Sequence, residues 1–181
     1  MGSKRILRPA VMGFLLAAGS IGAAASTGTA TQTLTATLNP VGALTTPGTA
    51  SLTKSLNAFQ PFSATVPVSY QIRTTPGGSG TITVQVTNDF TPSGGPAASS
   101  GALTYVCSGA TLGTACAGMQ TASTTSQTPV LSVPAAACTG GGGACSAQNP
   151  NTMNVTFTLT DSPVYSTGTY SANVTFTISA M

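Results

Sequence analysis

Four cysteines, at positions 107, 116, 138 and 145, are the residues whose type and spacing most directly suggest chemistry. An even number of cysteines indicates disulfide bonds in an exported chain. Of the pairings open to four cysteines, we expect the local one, Cys107 with Cys116 and Cys138 with Cys145, in which each bridge closes a glycine-rich loop. A zinc site of four thiolates is the alternative. Eight and six residues separate the members of these pairs, whereas paired zinc ligands are usually about two to four residues apart.

Acid–base and nucleophilic catalysis find little support in the sequence. Histidine is absent and Asp89 and Asp161 are the only acidic residues, so a Ser-His-Asp or Cys-His arrangement is impossible. Both aspartates lie in predicted turns, where Asp is common because its side chain bonds the local backbone. Ser51 and Lys54 match the S-x-x-K motif of penicillin-binding proteins, but the companion S-D-N and K-T-G motifs are missing. We therefore expect no enzymatic activity, no cofactor and no metal site.

The N-terminus has the three-part form of a secretory signal peptide, residues 1–25, with cleavage predicted after Ala25. Lys4, Arg5 and Arg8 form the basic region. The apolar stretch that follows has 16 residues, fewer than the roughly 18–20 needed to span a bilayer. We therefore expect a signal helix that is removed, leaving no stable membrane span. The mature chain, one domain over residues 26–181, would pass through the periplasm and be secreted or held at the cell surface.

Removal of the signal peptide leaves a chain with no net charge. Lys54 and Arg73 then balance Asp89 and Asp161. Nucleic-acid binding depends on Lys and Arg contacts to phosphates, so the composition argues against nucleic acid as a partner. Proteins near zero net charge tend to associate. Neutrality therefore favours a protein that assembles with copies of itself or with other surface subunits.

Alternation of apolar residues with Thr predicts half-buried β-strands along most of the chain. Residues 153–160 and 169–179 share the frame Asn-Val-Thr-Phe-Thr and are predicted to be adjacent strands, while residues 75–80 are predicted to form a hairpin connection. The other predicted strands are residues 31–38, 65–74, 80–87, 102–106 and 129–133. With no helical periodicity in the mature chain, this pattern predicts an all-β fold. We expect an immunoglobulin-like β-sandwich of about seven antiparallel strands, with cysteine-bearing loops at 107–145.

The C-terminal run, residues 156–180, resembles the ending of bacterial fimbrial subunits and of spore coat protein U-like secreted proteins. In these families a Gly-x-Tyr turn, here Gly168 to Tyr170, precedes a strand in which apolar residues alternate with Thr. The resemblance implies a pilin-like immunoglobulin fold that assembles outside the cell by strand addition. In that mode an extended segment of one subunit completes the sheet of the next.

Residues 27–38 are the segment available for such donation. Leu34, Ala36 and Leu38 alternate with Thr and would fill the groove of a neighbouring subunit as a donor strand. The alternative is that this segment forms the first strand of its own sandwich.

The sequence thus predicts a non-enzymatic, exported structural protein of the cell surface, a pilin-like or coat subunit. The alternative is an adhesin or another surface module that binds carbohydrate. Its contacts would come from the cysteine-bearing loops and from a platform formed by Tyr70, Tyr105, Tyr165 and Tyr170, although packing of these tyrosines in the core or sheets is the favoured interpretation.

Overall fold

The regular alternation of apolar residues with Thr produces strands throughout the computed structural model, which describes residues 29–54, 57–75, 77–135 and 150–181. The predicted signal peptide lies outside these described residues. The strands are β1 (Val41–Thr45), β2 (Phe62–Arg73), β3 (Gly80–Thr91), β4 (Leu103–Ser108), β5 (Thr114–Ala115), β6 (Gln120–Thr121), β7 (Thr128–Val133), β8 (Asn151–Leu159) and β9 (Ser171–Ala180). A short 3-10 turn, Ala98–Ser100, lies between β3 and β4.

The chain divides into two compact units, Met1–Ala36 and Thr37–Met181. In the first unit, the described residues 29–36 are exposed and form no strand. All nine strands belong to the second unit.

The second unit is a β-sandwich of two antiparallel sheets. The first sheet has the order β1-β2-β8-β4-β6 and the second has the order β5-β7-β3-β9. In immunoglobulin constant domains the corresponding orders are A-B-E-D and C-F-G. The strands β1-β2-β8-β4 and β3-β9 reproduce A-B-E-D and C-F, so the immunoglobulin-like β-sandwich expected from the sequence is confirmed.

The core lies between the sheets and is apolar because each strand turns alternate side chains inward. Among the described residues, no polar or charged residue is fully buried. The most completely buried side chains are Val68, Tyr70, Ile72, Ile82, Val84, Val86, Tyr105, Val130, Val133, Met153 and Val155. Threonines occupy the outward positions and pair across strands, as Thr65 and Thr156 do through their hydroxyl oxygens at 2.9 Å.

Two predicted strand neighbours are wrong. β8 pairs with β2 and β4 in the first sheet, whereas β9 pairs with β3 in the second. The matching strands therefore face each other across the core, where the rings of Phe157 and Phe176 meet edge to face at 6.3 Å. The predicted hairpin between β2 and β3 is also wrong, because these strands lie in different sheets and their connection crosses between them.

The first strand begins later than the sequence predicts. Residues 29–40 form no strand, and β1 starts at Val41. β1 pairs with the second half of β2, and after residues 46–52, which form no strand, Thr53 makes an isolated pairing with Ser63 near the start of β2. Pro67 lies in the stretch of β2 between these two pairings, consistent with the restriction of proline to edge-like positions in sheets.

The ends of the sandwich differ in what they carry, and we name them the loop pole and the terminal pole. At the loop pole lie the β1–β2, β3–β4 and β8–β9 connections, since Phe62 pairs with Leu159 and Thr91 with Ser171. At the terminal pole lie the start of β1, the β2–β3 connection and the end of β9. There the Met181 N–H donates to the Ser79 carbonyl at 2.9 Å.

Candidate assembly edge

The C-terminal strand β9 forms one edge of the second sheet. It pairs with β3 over nearly its whole length, and within the described ranges no strand pairs with its other edge. This edge is the position that strand G occupies beside strand F in an immunoglobulin constant domain. A ten-residue strand with one edge unpaired presents a row of backbone donors and acceptors to any extended chain that approaches it.

The inward side chains of β9 are less buried than the alternation predicts. They pack against the core cluster, yet each is only half-buried, unlike the fully buried side chains of the neighbouring β3. These half-buried residues are Ala172, Val174, Phe176, Ile178 and Ala180. The apolar face of β9 is therefore not completely covered by the sandwich.

Strand β1 lies beside β9 on the same flank, which we call the open flank. Three more apolar residues of this flank are only half-buried against the core: Leu44 in β1, Leu52 after β1 and Phe62 at the start of β2. Near the terminal pole the two strands approach closely: a Cβ placed on Gly42 would lie 3.1 Å from the Ile178 side chain. A larger residue at position 42 would have to push Ile178 aside, so glycine permits this approach.

The predicted donor residues are exposed. Leu34 is 88% exposed and Leu38 is 70% exposed, and Ala36 between them is exposed as well. Nothing in the described part of the chain covers these apolar side chains. Residues 31–38 therefore do not form the first strand of the chain's own sandwich, which was the alternative left open by the sequence.

One ion pair links two connections of the loop pole. The Lys54 ammonium donates to Asp161 Oδ2 at 2.7 Å and lies 4.9 Å from the centre of the Phe62 ring. Lys54 lies in the β1–β2 connection and Asp161 lies in the β8–β9 connection. The ion pair therefore joins these two connections where the open flank reaches the loop pole. The sequence does not reveal this ion pair, since a partner 107 residues away leaves no local signal.

Asp89 anchors the β3–β4 connection. Its carboxylate accepts hydrogen bonds from the backbone N–H groups of Phe90, Ala98 and Ser99 and from the Ser99 hydroxyl, at 2.6 to 3.1 Å. Partial burial raises the pKa of Asp89, but the four donors lower it by more, so that the pKa falls from 3.8 to about 2. This aspartate has a structural role, and its partners account for both of its oxygens.

A disulfide joins Cys107 and Cys116, as the local pairing predicts. Cys107 belongs to β4 in the first sheet, and Cys116 follows β5 in the second, so the bridge connects the two sheets on the flank opposite β9. We call this the disulfide flank. The predicted partners Cys138 and Cys145 lie outside the described residues.

Two of the four tyrosines cannot form a sugar-binding platform. Tyr70 and Tyr105 are almost completely buried, and burial raises the pKa of each hydroxyl. The Tyr70 hydroxyl donates to the Leu112 carbonyl, and the Tyr105 hydroxyl donates to the Pro129 carbonyl at 2.8 Å. Both tyrosines therefore stabilise the core, as the favoured interpretation of the sequence holds.

In the described ranges, no three Cys or Asp side chains come together in a way that could hold a metal ion. The same part of the chain has no helix long and apolar enough to cross a membrane. No family model, curated protein or solved structure matches the chain.

Proposed function

We propose that this chain is an exported structural subunit of a cell surface and that it polymerises by donating one strand to the next copy. In this proposal residues 29–40 of one copy pair with the free edge of β9 in another. The observation that carries the proposal is the open flank: an unpaired strand edge whose inward face is half-buried.

The donor segment suits this edge in length and pattern. Ten residues, 30–39, equal the length of β9. An antiparallel arrangement with Ala36 opposite Val174 places Leu34 opposite Phe176 and Leu38 opposite Ala172. Each pair then points inward, because residues directly opposite one another in a sheet lie on the same face.

The free energy of such pairing comes mainly from the two leucines. Burying a leucine side chain that is otherwise exposed contributes roughly 1.5–3 kcal/mol. Backbone hydrogen bonds along β9 add affinity, as in other cases of strand addition. The neutral composition removes the long-range repulsion that would oppose close packing of many copies.

Mass measurement of matched variants in solution tests this function. We expect wild-type protein to form a concentration-dependent ladder of species by size-exclusion chromatography with light scattering. The double variant Leu34→Asp/Leu38→Asp places charges on the inward face of the donor and should remain monomeric. Its control, Thr33→Asp/Thr37→Asp, places the same charges on the outward face and should still assemble.

A second measurement uses the segment itself. A synthetic peptide of residues 29–40 should bind a variant that lacks residues 26–39 and raise its melting temperature. Strand donation would be refuted if the wild-type protein were monomeric and the deletion variant neither bound the peptide nor gained melting temperature from it. Equal assembly by the two double variants would refute the assigned face.

A further inference from the structure

We propose that the loop pole of each subunit is a docking surface for the terminal pole of the copy that donates its strand, with Phe59 and Val164 packing near Val41 of that second copy. This inference rests on the proposed function. It adds a second contact between neighbouring subunits, formed by the bodies of the sandwiches rather than by the donated strand.

Two exposed apolar side chains mark the loop pole. Val164, in the β8–β9 connection, is 82% exposed, and Phe59, in the β1–β2 connection, is 55% exposed. The Lys54–Asp161 ion pair joins the same two connections, so both side chains belong to one end of the open flank.

The backbone of Phe59 supports a role for its exposure. Its φ is 56°, in the left-handed region that large side chains rarely occupy. Residues held in this region are found preferentially at functional sites. Here the conformation presents an aromatic ring to solvent.

The donor's short connection to its own sandwich determines which surfaces meet. Only Asn39 and Pro40 separate Leu38 from β1, and three residue steps span at most about 10 Å. The Arg73 Nε donates to the Asn39 carbonyl at 2.9 Å, which ties this connection to the end of β2. The body of the donating copy must therefore lie directly against the pole from which its donated strand emerges.

Strand direction selects the loop pole. Every strand pairing in the described structure is antiparallel, and antiparallel pairs are slightly more stable than parallel ones. A donor antiparallel to β9 runs from the terminal pole towards Ser171 and leaves the acceptor at the loop pole. The terminal pole of the donating copy, which carries the exposed side chains of Val41 (44%) and Met181 (65%), then faces Phe59 and Val164.

Cross-linking between differently labelled copies tests this contact. Val164→Cys protein is mixed with Val41→Cys protein, and the assembled mixture is treated with a short bismaleimide. Linked peptides are then identified by mass spectrometry. We expect the 164–41 link between copies. Val106→Cys, an exposed position on the outer face of the first sheet, replaces Val164→Cys as the control and should give a yield several times lower.

A second pair separates this inference from the proposed function. Ala36→Cys in one copy and Val174→Cys in another report strand donation itself. If the 36–174 link forms while the 164–41 yield does not exceed the 106–41 control, donation holds and the docking of the poles is refuted. If neither link forms, the proposed function fails and the docking inference fails with it.

Discussion

Replacing Asp89 by Asn should destabilise the sandwich in a way that depends on pH. The Asp89 carboxylate holds Phe90, Ala98 and Ser99 through four hydrogen bonds. An amide keeps one acceptor oxygen but presents an N–H₂ group towards the Ser99 backbone N–H. The variant therefore loses the charge and at least one of the four bonds.

The magnitude follows from the lowered pKa of Asp89. A fall from 3.8 to about 2 corresponds to at most roughly 2.5 kcal/mol of stability at neutral pH. Solvent reaches part of this carboxylate and screens its interactions, so we expect a loss of about 1–2 kcal/mol. Because folding lowers the pKa, the stabilisation is complete well above pH 3.8 and is lost as the pH falls through about 2.

Urea denaturation of the disulfide-intact protein between pH 7 and pH 2 measures this effect, at concentrations where wild type and variant are both monomeric. The difference in unfolding free energy should be largest at pH 7 and should shrink between about pH 4 and pH 2. Asp161→Asn is the matched control, since a partly exposed ion pair contributes only about 0–1 kcal/mol. Identical midpoints at pH 7, or a difference unchanged at pH 2, would refute the assigned role of Asp89.

Two further changes test the core and the bridge between the sheets. Replacing Cys107 and Cys116 together by Ser should lower the free energy of unfolding, measured by denaturation, by about 2–3 kcal/mol, the chain-entropy value for so short a loop. A decrease below about 0.5 kcal/mol would show that the disulfide does not restrict the unfolded chain. Tyr70→Phe should lower the free energy of unfolding by about 1–3 kcal/mol, because the buried Leu112 carbonyl loses its hydrogen-bond donor. Tyr170→Phe removes a more exposed hydrogen bond and should change the melting temperature little. Equal effects of the two tyrosine variants would contradict the importance of burial.

The fold class could be predicted because the alternation of apolar residues with Thr is a local signal. It correctly indicates β2, β3, β4, β7, β8 and β9. It does not reveal which strands are neighbours, since a strand that crosses to the other sheet has the same alternation as one that continues in a hairpin. This is why the shared frame around Asn154 and Asn173 suggested adjacent strands, although the two lie in different sheets.

The candidate site was predictable only in part. The alternation of Leu34, Ala36 and Leu38 with Thr is visible in the sequence, but it does not show that these side chains are exposed. The half-burial of β9 depends on strands distant in sequence. The anchoring role of Asp89 depends on donors nine and ten residues ahead, and a turn-forming aspartate looks the same in sequence. Phe59 carried no signal, because its left-handed backbone is visible only in the folded chain.

The register between β1 and β2 has a mechanical consequence in a polymer joined as we propose. The donated strand would pull β9 towards the loop pole, while the subunit's own donor segment would pull β1 out of the terminal pole at Val41. The five residue pairs of β1 with β2 would then bear tension along the strand axis, so their hydrogen bonds would share the load instead of opening one at a time. The open flank would carry the force, and the disulfide flank would lie outside its path.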